Sequence, residues 1–199
     1  MNTRKFISML SIAGLFVASC SDDDDAPAAV SDEEVITTMT VSLTAAGTDT
    51  VTLSFFDEDG ADGPTPPIPT ISGPLSASTT YTGAITILNA TENPPELVNE
   101  EIEGEADEHQ FFYITDDLGI TTTYTDQECD YTDDPCEGSF TNPVGLTFEL
   151  TTTATTGDAQ LRFVLRHQLN KEAQGVADGV ITNAGGSPDI DYVFNISVE

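Results

Sequence analysis

The regular alternation of apolar and polar residues constrains the fold of this chain more than any other feature of its sequence. Eight runs are strand-like. Apolar side chains alternate mostly with threonine, serine or charged residues at residues 35–43, 51–55, 81–89, 146–151, 161–166 and 190–198, whereas residues 109–115 form a dense aromatic run and residues 120–125 are rich in threonine. Successive side chains of a strand point to opposite faces, so a period of two indicates strands with one buried face. Threonine adds strand propensity on the solvent side.

Stretches rich in Gly, Pro and Asp separate these runs and favour turns. The sequence therefore predicts an all-β domain over residues 33–199, a single antiparallel β-sandwich, immunoglobulin-like or similar, with a closed barrel as the alternative. One short helix is predicted within residues 95–103, and one hairpin within residues 144–167. That hairpin would place Glu149 opposite Arg162.

The N-terminal 19 residues have the pattern of a bacterial signal peptide. Arg4 and Lys5 precede an apolar run over residues 6–17, which is too short to span a bilayer. Val17-Ala18-Ser19-Cys20 then resembles a lipobox, in which the thiol of Cys20 accepts a diacylglycerol group. The alternative is an ordinary secretory peptide followed by a chance cysteine.

Lipidation would account for one of the three cysteines. The other two, Cys129 and Cys136, are predicted to form a disulfide, since the exported chain reaches an oxidising compartment. Free or metal-bound thiols are the alternative, although the sequence offers no second cysteine pair for a zinc set.

An acidic run, Ser-Asp-Asp-Asp-Asp, directly follows Cys20. It resembles the surface-export signal of lipoproteins from Bacteroidetes, and it predicts a disordered tether over residues 20–32 that leads from an outer-membrane lipid anchor to an exposed domain. A solvated spacer on the periplasmic face is the alternative.

The charge balance argues against nucleic acid as a partner. The chain carries 35 acidic and five basic side chains, and loss of Arg4 and Lys5 with the signal peptide leaves a balance of −32. Such a surface repels phosphate backbones and attracts cations.

The three remaining basic side chains lie close together in the sequence. Arg162, Arg166 and Lys171, together with His167, either pair with nearby carboxylates or form a binding site for an anion or an acidic sugar.

One acidic loop suggests calcium as a cofactor. Residues 57–63 supply three carboxylates, from Asp57, Asp59 and Asp62, together with the glycines Gly60 and Gly63. Calcium prefers several oxygen ligands on a flexible loop of this kind. The spacing is offset by one residue from the standard pattern, so an acidic hairpin loop is the alternative.

The sequence contains little that indicates catalysis. It has no nucleophile elbow and no glycine-rich phosphate loop, and the spacing of His109 and His167 is not that of a metal-binding pair. Tryptophan, the usual platform for sugars, is absent, which leaves Tyr124 and Tyr131 as candidate glycan contacts.

Several stretches resemble a family of small flavobacterial lipoproteins: the acidic run after Cys20, and residues 34–38, 79–83, 107–110 and 166–170. The resemblance implies an origin and an envelope location, and no catalytic residue. Some members carry a periplasmic-binding-fold label, but the near absence of helical periodicity here argues against that fold.

These observations predict a lipid-anchored envelope protein whose β-sandwich is a non-enzymatic module that binds a glycan, an envelope protein or cations, or has a structural role. The alternative is a carbohydrate-active hydrolase, or an accessory to one, that uses a pair of carboxylates.

Overall fold

A computed structural model describes residues 34–60, 63–115, 118–132, 136–137 and 141–199. All of them belong to one compact unit, Glu33–Glu199. The predicted signal peptide, the lipidation site Cys20 and the acidic tether lie outside the described residues.

Two antiparallel sheets make up the described fold. The larger contains β1 (Thr38–Thr44), β2 (Val51–Phe56), β3 (Ile68–Ile71), β4 (Thr80–Asn89), β5 (Glu96–Leu97), β7 (Thr121–Tyr124) and β8 (Thr147–Thr151). Their order is β3-β2-β1-β4-β8-β7, with β5 paired to β4. The smaller sheet has the order β10-β9-β6 and contains β6 (His109–Ile114), β9 (Gly157–His167) and β10 (Ser187–Val198). Neither sheet closes on itself, so the predicted all-β sandwich is confirmed.

The core lies between the two sheets, where the alternating residues predicted from the sequence meet. Met39, Val41 and Leu43 of β1 are fully buried, and they belong to one apolar cluster with Phe148 of β8 and Phe163 of β9. The alternation of each strand therefore specifies which of its side chains enter this layer.

The smaller sheet is covered on its outer face as well. Phe112 of β6 and Val164 of β9 pack there against Leu169, Val176 and Ala184. These three residues come from the segment between β9 and β10. Because β6 is buried on both faces, its sequence is an apolar run rather than a clean alternation.

The helix α1 (Asn99–Gly104) begins within the stretch predicted to be helical. Its first residue is tied to the larger sheet, because the buried Asn99 side chain accepts a hydrogen bond from the amide of Ile87 and donates one to the carbonyl of Ile85.

The predicted hairpin within residues 144–167 is wrong. β8 pairs with β4 and β7 in the larger sheet, whereas β9 pairs with β6 and β10 in the smaller one. Glu149 consequently lies opposite Thr82 and Thr123, and not opposite Arg162. Both strands have the same apolar alternation, so adjacency in sequence did not reveal that they belong to different sheets.

Candidate metal centre

Four ionisable side chains meet at one end of the smaller sheet. Glu34 precedes β1, His109 begins β6, His167 ends β9, and Asp189 lies near the start of β10. One potential ligand atom from each of the four lies within 4.8 Å of the others. Four separate parts of the chain thus bring two imidazoles and two carboxylates together.

The two histidines meet because their strands are antiparallel and in register. His109 at the start of β6 is the direct partner of His167 at the end of β9. Their rings stack with centroids 4.4 Å apart and planes inclined by 14°. Both residues are buried, His109 completely.

Asp189 enters the cluster through an irregularity of β10. Pro188 is partnered with Arg166 and Ile190 with Leu165, so the register shifts by one residue at Asp189. A bulge of this kind redirects a side chain, and bulges often occur next to functional sites. Both carboxylate oxygens of Asp189 are inaccessible to solvent.

His109 is held by a hydrogen bond at each ring nitrogen. Nδ1 lies 3.1 Å from the carbonyl oxygen of Glu105, and Nε2 lies 2.9 Å from Oε1 of Glu34. A carbonyl oxygen only accepts, so Nδ1 donates, and this fixes the ring with Nε2 toward the cluster. Burial lowers the pKa of His109, but the hydrogen bond to Glu34 and its charge raise that pKa above its ordinary value.

Glu34 complements this arrangement as a buried carboxylate. Burial raises its pKa, yet the hydrogen bond with His109 and the charges of both histidines lower the pKa below its ordinary value. The side chain of Glu34 is only 2% exposed.

Two ligand atoms of the cluster face each other without being bonded. Among the described residues, Oε2 of Glu34 and Nδ1 of His167 are buried and have no hydrogen-bond partner. They lie 3.8 Å apart, too far for a hydrogen bond. Two ligands of a tetrahedral zinc ion, each about 2.1 Å from the metal, are about 3.4 Å apart. The gap therefore fits two atoms that share one ion.

Further carboxylates surround the outer side of His167. Its Nε2 lies 3.8 Å from Oε2 of Glu105 and 3.6 Å from Oε2 of Glu108. These separations are too long for hydrogen bonds, so the two carboxylates contribute through their charge. The four carboxylates also create a negative potential that favours a divalent cation.

This set of donors matches transition metals better than calcium or magnesium. Imidazole nitrogen suits zinc, copper, iron and nickel, whereas calcium and magnesium prefer oxygen ligands alone. Glu34, His109, His167 and Asp189 would supply up to four ligands to such an ion.

Comparison with known proteins adds no relative to this description. No family model, curated protein or solved structure matches the chain. Within the described residues, no helix is sufficiently long and apolar to cross a membrane.

Of the sites predicted from the sequence, the disulfide is confirmed. Cys129 and Cys136 are bonded, with their Cα atoms 5.1 Å apart.

The predicted calcium loop is described only in part, and it stays a prediction. Asp57 is buried and Asp59 is exposed, while Asp62 lies outside the described residues. Burial and the neighbouring Asp59 raise the pKa of Asp57.

The residues considered for an anion site have partners within the fold, and the site itself stays a prediction. Nε and Nη2 of Arg162 donate hydrogen bonds to the two carboxylate oxygens of Asp191, at 2.6 Å each. Arg166 donates to the carbonyl oxygen of Gly186, at 3.0 Å. Lys171 is buried against Glu128, and His167 belongs to the cluster with Glu34, His109 and Asp189. The other hypothesis, charge pairing, describes Arg162 and Lys171, although Arg162 pairs with Asp191 rather than with the expected Glu149.

The two tyrosines considered for glycan binding are engaged in the fold. Tyr124 donates to the carbonyl oxygen of Phe111, and Tyr131 donates to Asp126.

Sequence reasoning did not identify the cluster as a unit, because no spacing along the chain predicts a register match between β6 and β9. The usable signal was that the only two histidines both lie on strand patterns, in a chain with few other nitrogen ligands.

Proposed function

We propose that this protein is a lipid-anchored envelope lipoprotein whose β-sandwich binds one divalent transition-metal ion, with Zn²⁺ as the representative ion. Glu34, His109 and His167 are the principal ligands and Asp189 is the fourth. The module is non-enzymatic in this proposal, because four protein ligands would close a tetrahedral site of the structural type.

The observation that carries the proposal is the pair of unbonded, buried atoms that face each other, Oε2 of Glu34 and Nδ1 of His167. A buried polar atom without a partner costs about 1–3 kcal/mol, and more when it is charged. A metal ion between the two atoms removes that cost. The fixed orientation of His109 supports the same interpretation, since ligating histidines commonly donate their second N–H to a carbonyl.

Calorimetric titration of the full chain, purified in detergent and stripped with a chelator, tests the proposal. We expect one zinc ion per chain and a higher melting temperature by circular dichroism, with no comparable response at this site to calcium. His109→Ala and His167→Ala should each weaken zinc binding at least about tenfold, since loss of a supporting residue alone costs about 10–100-fold.

Glu149→Gln is the matched control, because Glu149 is an exposed carboxylate on β8 whose strand neighbours are threonines. Its zinc affinity should equal that of the wild type. X-ray absorption of the zinc-loaded wild type needs no variant and should report two imidazole ligands. Unsaturable binding, or a first shell without imidazole, would exclude the site.

The membrane part of the proposal concerns Cys20. We expect the mature chain to begin at a diacylglycerol-modified Cys20, in the outer membrane and exposed at the surface. Mass spectrometry of the N-terminal peptide, and protease treatment of intact cells, test modification and exposure separately. A Cys20→Ser chain should remain unmodified.

A further inference from the structure

The proposed metal centre joins two parts of the sandwich that are distant in the sequence, the smaller sheet and the segment that leads into β1. His109, His167 and Asp189 all belong to strands of the smaller sheet. Glu34 alone comes from the segment that enters the larger sheet, four residues before β1 begins. The ion would therefore be shared between the smaller sheet and the entry segment, residues 34–37.

The entry segment is held most firmly at its C-terminal end, where the hydroxyl of Thr37 accepts a hydrogen bond from the amide of Ala90 and its carbonyl oxygen accepts one from the amide of Asp57. Thr37 is bonded to β4, because both its amide and its hydroxyl donate to the carbonyl oxygen of Leu88, at 3.0 Å each. Ile36 is buried in the core, whereas Val35 is 51% exposed. The Glu34 side chain is thus the outermost described contact of this segment.

Glu34 is also held incompletely. One carboxylate oxygen is bonded to His109, while the other faces His167 across 3.8 Å. An ion that coordinates this second oxygen would add a direct bond from the entry segment to β9. Without the ion, the segment retains only the contact with His109 at this point.

We infer that metal binding fastens the entry segment to the smaller sheet, so that occupancy of the centre and attachment of residues 34–37 are coupled. The inference rests on the proposed function, since it concerns regulation of the same site. Coupling is reciprocal: if the ion favours attachment, then detachment of Glu34 weakens binding of the ion by the same factor.

The position of the segment gives this coupling a consequence. Glu34 follows the proposed lipidation site Cys20 by only 14 residues. The ion would therefore bind where the tether joins the folded domain, and it would control whether that junction is fastened or free.

Hydrogen exchange of the full chain, followed by mass spectrometry with and without zinc, tests the inference. The reporter is a peptide that covers residues 34–37, whose Thr37 amide is bonded to Leu88. We expect zinc at about 100 times its dissociation constant to slow exchange there at least about tenfold, because openings that release the ion become about 100-fold rarer. A peptide that covers the β1–β2 turn, residues 45–50, is the internal control and should change far less.

Zinc content measured on the same samples separates the two proposals. One zinc per chain with unchanged exchange at residues 34–37 would overturn the coupling and leave the metal site intact. Absence of bound zinc would overturn the site itself. Glu34→Gln should retain zinc at a saturating concentration while losing the protection of residues 34–37, and full protection in that variant would contradict the inference. Glu149→Gln should behave as the wild type.

Discussion

Lys171 shows how a single side chain in this acidic protein can be costly to bury and still difficult to replace. Its ammonium group is 3.0 Å from Oε1 of Glu128, and it also donates to the carbonyl oxygens of Ala106 and Pro143. Burial lowers the pKa of Lys171 and raises that of Glu128, in each case against the opposing effect of the partner. The pair therefore holds together groups that each resist burial.

Removal of one partner should destabilise the protein strongly. We expect Lys171→Met to lower the free energy of unfolding by about 3–5 kcal/mol, because Glu128 would remain buried without a cation. Urea denaturation in the presence of a chelator, followed by circular dichroism, measures the change. The double variant Lys171→Met/Glu128→Gln should recover part of the loss.

Arg162→Met provides the matched control for this prediction. Arg162 and its partner Asp191 are both 42% exposed, so their ion pair should contribute only about 0.2–1 kcal/mol. Equal losses in the Lys171 and Arg162 variants would contradict the role assigned to burial.

The pairing of individual residues was thus partly predictable from the sequence. Scarcity of basic residues in an acidic chain indicated charge pairing, which Arg162 and Lys171 show, and the two cysteines left after Cys20 indicated the Cys129–Cys136 bond. Which carboxylate each cation would meet was not predictable, since Asp191 and Glu128 are separated from Arg162 and Lys171 by 29 and 43 positions.

At the scale of strands, close approach between β4 and β8 depends on one glycine. Gly83 lies opposite Phe148, and a Cβ added there would come within 2.4 Å of Cζ of the phenyl ring. The ring of Phe148 is completely buried in the core and also contacts the rings of Tyr113 and Phe163. It has little room to move.

Gly83→Ala should therefore destabilise the sandwich by overpacking, by about 1–3 kcal/mol in the free energy of unfolding. Phe148→Leu in the Gly83→Ala background should recover part of that loss, because the smaller side chain vacates the position of the ring. Gly73→Ala is the control, since a Cβ at Gly73 meets no atom within 4 Å. A Gly83→Ala protein as stable as the control would show that the ring shifts freely.

The alternation of residues predicted the strands well, because burial of one face leaves a direct trace in the sequence. It did not predict strand pairing. β8 and β9 are neighbours in the chain with similar patterns, yet the sandwich separates them into different sheets. The cluster of His109 and His167 depends on that partition, since β9 aligns with β6 within the smaller sheet. Short edge strands such as β3 and β5 were missed because runs of four and two residues carry too little periodicity.

For the whole molecule, the excess of acidic residues makes stability dependent on ionic strength. With 35 acidic and only five basic side chains, the compact state carries strong self-repulsion. The Debye length falls from about 30 Å at 0.01 M salt to about 8 Å at 0.15 M. Screening should relieve most of the repulsion over this range.

We expect the melting temperature of the chelated protein to rise by at least about 2 °C between these two salt concentrations, which corresponds to about 1 kcal/mol or less for a chain of this size. Sodium chloride and potassium chloride should act equally, since screening depends on ionic strength and not on the ion. A flat response would indicate that the acidic side chains are too widely spaced to repel one another.

The four clustered side chains lie far apart in the sequence, and this separation also determines when the cluster can form during folding. Glu34 and His109 are 75 positions apart, and β6 pairs with a strand that begins more than 40 residues after β6 ends. Contacts over such separations form late, because long loops must close first. A zinc ion bound at this site would therefore not nucleate folding as it does in a zinc finger. Binding of the ion would instead be the final step of folding. Cobalt, which absorbs visible light when bound, could replace zinc and report when that step is complete.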